Sequence, residues 1–154
     1  MREGFLGTAA ARYADVLLVL EIAMGMALLA GAQLARLRKF RAHAACQAII
    51  VLLNAAVIVS IMLPSFRVRV APKIPFKLGK AYYALSTAHA ALGTLVESAA
   101  LYILVAAGTN LLPQKLRITR YKLWMRSVLL GWWLVLSLGL ATYARWYLPH
   151  LFPR

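Results

Sequence analysis

The chain has 154 residues, of which 63% are hydrophobic, and its mean hydropathy is +0.74. Soluble globular domains are far less apolar, so this composition excludes one. The formal charge of +14 is common in nucleic-acid-binding proteins, but here most cations flank apolar stretches and no aromatic-interleaved basic module accompanies them. We therefore expect the basic residues to contact anionic lipid headgroups, and we expect no nucleic-acid partner.

Four apolar stretches predict an all-α protein, an integral membrane four-helix bundle. They cover residues 16–35, 44–64, 81–108 and 123–148. Each meets the length of about 20 apolar residues that crosses a hydrocarbon core of about 30 Å. The connections leave no room for a soluble domain, so residues 1–154 are interpreted as one transmembrane domain. Residues 65–80 contain Pro72, Pro75 and Gly79, which predicts an irregular loop or an extended strap rather than a helix.

The Lys and Arg residues predict the orientation in the membrane. The two sides of the bundle carry equal numbers of the 18 cations. The connections between spans one and two and between spans three and four hold theirs at the higher density, and the positive-inside rule gives short loops the most weight. We therefore expect these two connections to face the cytoplasm of a bacterial-type inner membrane, with both termini on the outer side.

The small and aromatic residues of spans three and four predict helix packing. Span three begins with a run of small residues, which are Ala84, Ser86, Thr87, Ala88, Ala90, Ala91, Gly93 and Thr94. Small side chains let helices approach closely in lipid, so we expect this span to run through the centre of the bundle. The alternative is that the missing volume accommodates a flat cofactor. Trp132 and Trp133 fall in the middle of span four, where we expect them to face lipid or a neighbouring chain.

Polar residues within the predicted spans are the candidates for chemistry, because an ionisable group inside a membrane is costly and is functional by default. A rise of about 1.5 Å per residue places Glu21 about 8 Å and His89 about 12 Å from the same membrane face. Asn54 reaches a comparable depth, so these three residues can share one polar cluster. Glu97 lies about two turns deeper than His89 on the same helix and points in a different direction.

The two histidines near the membrane have different interpretations. His89 lies inside an apolar helix and can be a haem axial ligand, a quinone hydrogen-bond donor or half of a proton relay with Glu21. It can equally be a neutral histidine that is hydrogen-bonded to Asn54 or to a backbone carbonyl. His43 lies where a basic loop becomes span two, and such histidines usually contact water or headgroups. About 15 Å separates the two along the membrane normal, so one haem cannot use both as axial ligands.

No catalytic or metal-binding residue is assigned from the sequence. The chain has no Gly-rich phosphate loop, no Ser-His-Asp order and no clustered carboxylates for a two-metal site. The lone Cys46 excludes an intrachain disulfide. We therefore expect a protein without hydrolytic or phosphoryl-transfer activity.

Three segments together resemble the CtaM/YozB-like family of small four-span membrane proteins. Residues 37–47 read LRKFRAHAACQ, a basic run followed by an Ala-His pair, and residues 82–108 begin with paired tyrosines followed by a histidine within the helix. Residues 117–149 hold basic residues, a Trp-containing span, a Gly, then Tyr and Pro. By this resemblance His43 and His89 correspond to family histidines. A further family histidine, at the basic start of the last span, has no counterpart at residues 119–122.

The resemblance implies a role in electron transport, because the family is associated with haem–copper oxidases and some members are implicated in their maturation. We therefore expect a non-enzymatic accessory subunit or assembly factor that contacts other membrane subunits of a respiratory complex. The alternative is a subunit that binds haem b or a quinone, with His89 and His43 as the candidate cofactor-binding residues. Glu21, Asn54 and Glu97 are then the intramembrane polar residues, with the two carboxyl groups in proton transfer. A transporter is disfavoured by the lack of inverted repeats.

Overall fold

The computed structural model describes residues 4–148, which form helices and contain no strand. The helices are α1 (Arg12–Arg36), α2 (Phe40–Val57), α3 (Leu63–Arg69), α4 (Ile74–Lys77), α5 (Ala81–Gly108) and α6 (Tyr121–Tyr147). Four helical runs, the second of which joins α2 to α3 and α4, are long and apolar enough to cross a membrane. This confirms the predicted all-α four-helix bundle of a multi-pass membrane protein.

The bundle is a four-cornered arrangement of antiparallel helices. The most extensive contacts are between α5 and α6 and between α1 and α2, and further contacts join α1 to α6 and α2 to α5. Each span therefore has two main neighbours, and α5 lies at a corner. The expected position of span three at the bundle centre is wrong, because the small side chains at the start of α5 partly border open volume and partly face outward, as Ala88 does.

The second span is longer than predicted. Helix α2 continues through a π-helical turn, Ile58–Met62, in which the Leu63 N–H donates to the Ile58 carbonyl five residues earlier. Pro64 follows directly as the second residue of α3. Because proline has no N–H to donate, it interrupts the hydrogen-bond ladder of the continuous helical run at this point. A π-helical turn of this kind inserts one extra residue into a helix and is frequent at functional sites.

The expected irregular strap over residues 65–80 is wrong. Helix α3 continues to Arg69, and a 3-10 turn (Ala71–Lys73) and α4 follow directly. Pro72 and Pro75 each occupy one of the first two positions of their element. Proline is tolerated there because the N–H that it lacks would be unpaired anyway. These prolines therefore begin helical turns and do not prevent them.

The central core lies where α1, α2, α5 and α6 meet. Its buried members are Met24, Leu28, Ile50, Val51, Ala100 and Trp132. The expectation that Trp132 faces lipid or a neighbouring chain is wrong, since its side chain is only 4% exposed. Leu136 lies one turn further along the same face of α6 and is equally buried. Trp133 faces another direction and is half-buried.

The turn between α1 and α2 is tight and has an unusual residue. Arg38 has a φ of 59°, in the left-handed region that favours glycine. The Lys39 N–H donates to the Leu34 carbonyl (2.9 Å), and the Arg38 N–H donates to the Ala35 carbonyl (3.1 Å). These two bonds form a Schellman motif, which ends a helix and reverses the chain. The turn thereby fixes α1 and α2 as antiparallel neighbours.

Candidate functional site

A cavity of about 490 Å³ lies between the helices in the half of the bundle that contains the start of α5. We call it the first cavity. Most of its lining is apolar, and its polar lining includes Glu21, Asn54, Glu97, His89, Ser86 and Thr87. Its volume lies within the range of about 300 to 1,000 Å³ that is usual for small-molecule sites, which are mostly apolar with a few polar groups. All four intramembrane polar residues singled out in the sequence therefore border one space.

The small residues of α5 leave much of this volume open. Ser86, Thr87, Ala90, Ala91, Gly93 and Thr94 all border the first cavity. The π-helical turn after α2 and the start of α3 form another part of its wall, through Ile58, Ile61, Met62, Leu63, Ser65 and Phe66. The small-residue run is thus associated with free space as well as with helix contact.

Glu97 is held by a hydrogen bond between two spans. The Asn54 side-chain amide on α2 donates to Glu97 Oε2 on α5 over 2.8 Å, and both residues are buried. The expected cluster of Glu21, Asn54 and His89 is therefore incomplete, because Glu97 belongs to it as well. Asn54 makes its bond to Glu97 and not to His89.

Two carboxyl groups that border the first cavity each have one oxygen without a described partner. Within residues 4–148, Glu21 Oε1 and Glu97 Oε1 are buried and make no hydrogen bond. Both side chains border the same cavity. A buried polar atom without a partner costs roughly 1–3 kcal/mol, so native proteins rarely keep one without a reason. These oxygens are the atoms that a bound ligand could satisfy.

His89 is fixed against α6 by one ring nitrogen. Its Nδ1 donates to the Val135 carbonyl over 3.0 Å, since a carbonyl oxygen can only accept. His89 is thus hydrogen-bonded to a backbone carbonyl and not to Asn54, and this bond is compatible with each of the ligand and relay interpretations. In a neutral imidazole the other nitrogen, Nε2, then keeps its lone pair. Gly139 makes room for the ring, because a Cβ there would lie 3.1 Å from His89 Cε1.

Aromatic residues surround the outer end of the first cavity. Tyr13 and Trp146 border it. Tyr82 stacks on Trp146 with 4.7 Å between ring centroids, and the Arg69 guanidinium lies 5.9 Å from the centroid of Tyr13. Amphipathic rings of this kind are typical of the membrane–water interface. The same side chains thus form an interfacial belt and part of the cavity wall.

Sequence reasoning missed a polar cluster beside this belt. Asp15 is fully buried and accepts hydrogen bonds from the Tyr143 hydroxyl, from the Leu6 N–H (3.0 Å) and from the Thr8 hydroxyl (3.4 Å). The cluster fixes the segment before α1 against both α1 and α6. Tyr143 is far from Asp15 in the chain, and the only sequence signal was an acidic residue at the edge of an apolar stretch.

A second cavity, of about 550 Å³, lies at the opposite end of the bundle. His43 borders it and donates from Nδ1 to the Gly31 carbonyl over 2.8 Å. Arg36, Lys122 and Arg126 also border it. The structure therefore does not bring His43 and His89 together, and the first cavity offers a haem iron one histidine.

Comparisons with known proteins add no relative. No protein-family model matches the chain, and neither a curated protein nor a solved structure matches it. Within residues 4–148, no group of three or more His, Cys, Asp or Glu side chains is arranged to hold a metal ion. The resemblance to the CtaM/YozB-like family stays a prediction.

Proposed function

We propose that this chain is a ligand-binding accessory subunit of a membrane electron-transfer complex, and that its ligand is a quinone-type ring in the first cavity. The observation that carries the proposal is the pair of buried, unpartnered oxygens, Glu21 Oε1 and Glu97 Oε1, on two side chains that border a largely apolar cavity of about 490 Å³. Sites that are apolar with a few convergent polar groups are the usual sites for small molecules.

The chemistry of a quinone fits this lining. Its flat ring and hydrocarbon tail suit apolar walls, and its carbonyl oxygens accept hydrogen bonds from a protonated carboxyl or an amide. The reduced form carries hydroxyls, which can donate to a carboxylate or to His89 Nε2. Interconversion of the two forms moves two electrons and two protons. Glu21 and Glu97 can hold those protons at Oε1, while the electrons come from a partner subunit.

The accessory role also agrees with the exposure of α6. Only 11% of its most apolar 18-residue window is buried within the chain, against 22–28% for the other spans. We propose that membrane subunits of a haem–copper oxidase-type complex pack on this helix. Co-purification of such subunits with the affinity-tagged chain, in mild detergent, checks this part of the proposal, and an isolated chain would contradict it.

Titration with a short-tailed quinone tests the ligand. Trp132 and Trp146 border the first cavity, so a bound quinone should quench their fluorescence in a saturable way when the protein is in phosphatidylcholine nanodiscs. Glu21→Leu removes a carboxyl for which the structure describes no hydrogen bond. We expect it to weaken binding by about ten-fold, the effect of losing one hydrogen bond to a buried charged or polar group.

His43→Ala is the matched control, because His43 borders the other cavity. Its titration should follow that of the unmodified protein. Quenching that stays linear with quinone concentration, or that is the same in Glu21→Leu, would mean that the quinone only dissolves in the lipid and would contradict the proposal.

A second candidate ligand is haem b, favoured by the hydrogen bond from His89 Nδ1 to the Val135 carbonyl. Proteins commonly orient metal-binding histidines in this way, with the other ring nitrogen on the metal. A reduced-minus-oxidised visible spectrum of the purified protein separates the two candidates. A sharp α-band that is lost in His89→Ala and kept in His43→Ala favours haem, whereas a featureless spectrum leaves the quinone.

A further inference from the structure

The second cavity combines cationic side chains with an apolar interior. Arg36 comes from the end of α1, His43 from the start of α2, and Lys122 and Arg126 from the start of α6. Leu28, Val51, Leu104, Val128 and Leu129 are among the apolar residues that line the rest. The described carboxylates are Asp15, Glu21 and Glu97, and none of them borders this cavity. The positive charge is therefore not neutralised by the described part of the chain.

Arg126 is the most informative of these cations. It lies five residues after the first residue of α6, which places its Cα about 7.5 Å along the helix axis. A cation inside a membrane span normally pairs with an anion or extends to the interface. Lys122 lies four residues earlier, one turn away on the same face of α6. The two side chains and Arg36 can thus surround one anionic group at the mouth of the cavity.

Helix ends strengthen the attraction for an anion. Helices α2 and α6 both begin at this end of the bundle, and neither has an acidic residue in its first turn. The unpaired N–H groups of a helix start carry partial positive charge. Below this charged rim, the apolar lining can accommodate a hydrocarbon chain.

We propose that the second cavity is a specific site for an anionic phospholipid. The phosphate is held by Arg36, Lys122 and Arg126, and an acyl chain lies along the apolar lining. Basic pockets between membrane helices are known to bind such headgroups. A free phosphate would contact only the cationic side chains at the mouth of the cavity and would leave its apolar part empty. We therefore assign the site to a lipid. This site is separate from the first cavity, and the proposal does not depend on the quinone.

Lipid retention tests the proposal. The full chain is reconstituted in vesicles of phosphatidylcholine and phosphatidylglycerol, extracted in mild detergent and washed, and the retained lipids are quantified by mass spectrometry. We expect phosphatidylglycerol to be enriched over the vesicle composition. Arg126→Gln and Arg36→Gln should each lower that enrichment about five-fold, the equivalent of about 1 kcal/mol per cation. Arg126→Lys, which keeps the charge, should keep the lipid and shows that position 126 tolerates replacement.

Arg41→Gln is the matched control, since Arg41 lies at the same end of the bundle and does not border the cavity. Equal loss of lipid in Arg41→Gln and Arg126→Gln would indicate diffuse attraction to a basic surface and would overturn the proposal. No enrichment in the unmodified protein would overturn it as well.

A second experiment distinguishes a lipid from a free anion. Inorganic phosphate is added to protein in phosphatidylcholine alone, and the thermal unfolding midpoint is compared with that in phosphatidylcholine and phosphatidylglycerol. If phosphate raises the unfolding midpoint as much as phosphatidylglycerol does, the ligand is a free anion and the lipid assignment is wrong.

Discussion

The hydrogen bond between Asn54 and Glu97 is the one buried side-chain pair, within residues 4–148, that joins two spans away from the bundle ends. Water is scarce at this depth, so a carboxyl group there needs a partner within the protein. Asn54 donates to Oε2 and leaves Oε1 without a described partner, on a side chain that borders the first cavity. One polar pair thus stabilises the contact of α2 with α5 and also supplies a polar atom for a ligand.

Replacement of Asn54 by Leu should destabilise the bundle, because Glu97 then loses its only described partner. Hydrogen bonds between membrane helices are worth roughly 0.6 kcal/mol on average and at most about 1.7, and we expect a loss in the upper part of that range. The midpoint of denaturant-induced unfolding in detergent measures it. The control is the double variant Asn54→Leu/Glu97→Leu, which leaves no unpaired polar group and should regain most of the loss. A double variant that is as unstable as the sum of its single variants would contradict this account.

Depth along each helix was predictable from the sequence, whereas the pairing was not. A fixed rise per residue placed Glu21, Asn54 and His89 at similar depth, and the structure brings them to one cavity. Glu97 was assigned elsewhere, because an ideal helix turns it away from His89. Its actual partner is on α2, and the rotation of α2 relative to α5 depends on packing that no local pattern records.

At the level of elements, the contact between α5 and α6 depends on two glycines of α6. A Cβ on Gly131 would lie 2.7 Å from Val96 Cγ2, and a Cβ on Gly139 would lie 3.1 Å from the His89 ring. Small residues at such positions let membrane helices approach closely. Gly93 on α5 is different, because a Cβ there would lie 3.5 Å from Val135, which is an ordinary contact distance.

The substitution Gly131→Ala should therefore push α5 and α6 apart. Val96 is β-branched and has one strongly preferred rotamer in a helix, so it cannot turn aside at low cost. We expect a loss of about 1–3 kcal/mol, as for other overpacked cores, measured as the thermal midpoint in detergent. Gly93→Ala is the matched control and should be neutral or slightly stabilising, since alanine favours helix over glycine. Equal effects of the two substitutions would refute the close contact at Gly131.

Hydropathy was sufficient to predict that four spans exist, since burial in lipid needs long apolar runs whatever the packing. The region after span two was mispredicted because the effect of a proline depends on its place within a turn. Pro72 and Pro75 begin turns, where they are harmless. The small residues of α5 were ambiguous for a similar reason. A close helix contact and an open cavity both require that side-chain volume be absent.

For the whole molecule, the two ends of the bundle differ in charge density and in architecture. One end holds the short basic connections and the second cavity, and the other holds the aromatic belt, α3 and α4. We propose that the basic end faces the cytoplasm, as the positive-inside rule indicates.

Labelling of introduced cysteines by a membrane-impermeant maleimide in intact cells tests this orientation. Cys46 is first replaced by Ser to remove the native thiol. Phe76→Cys, at a position that is 86% exposed on the aromatic end, should then be labelled from outside, while Leu111→Cys, at a position that is 80% exposed on the basic end, should be protected until the cells are opened. The opposite pattern would reverse the orientation, and labelling of both from outside would refute a single topology.

The Schellman turn at Arg38 also has a consequence for the insertion of α1 and α2 into the membrane during synthesis. Its neighbourhood holds Arg36, Arg38, Lys39 and Arg41 within six consecutive residues, and insertion of each basic residue at the centre of a bilayer costs about 2.5–3.5 kcal/mol. Because the connection between α1 and α2 is only a few residues long, it favours entry of the two helices into the membrane as a pair. In the proposed orientation we expect them to insert as one helical hairpin whose turn stays on the cytoplasmic side, where the ribosome is. We therefore expect the orientation of this hairpin to be a main determinant of the orientation of α5 and α6, which are translated later.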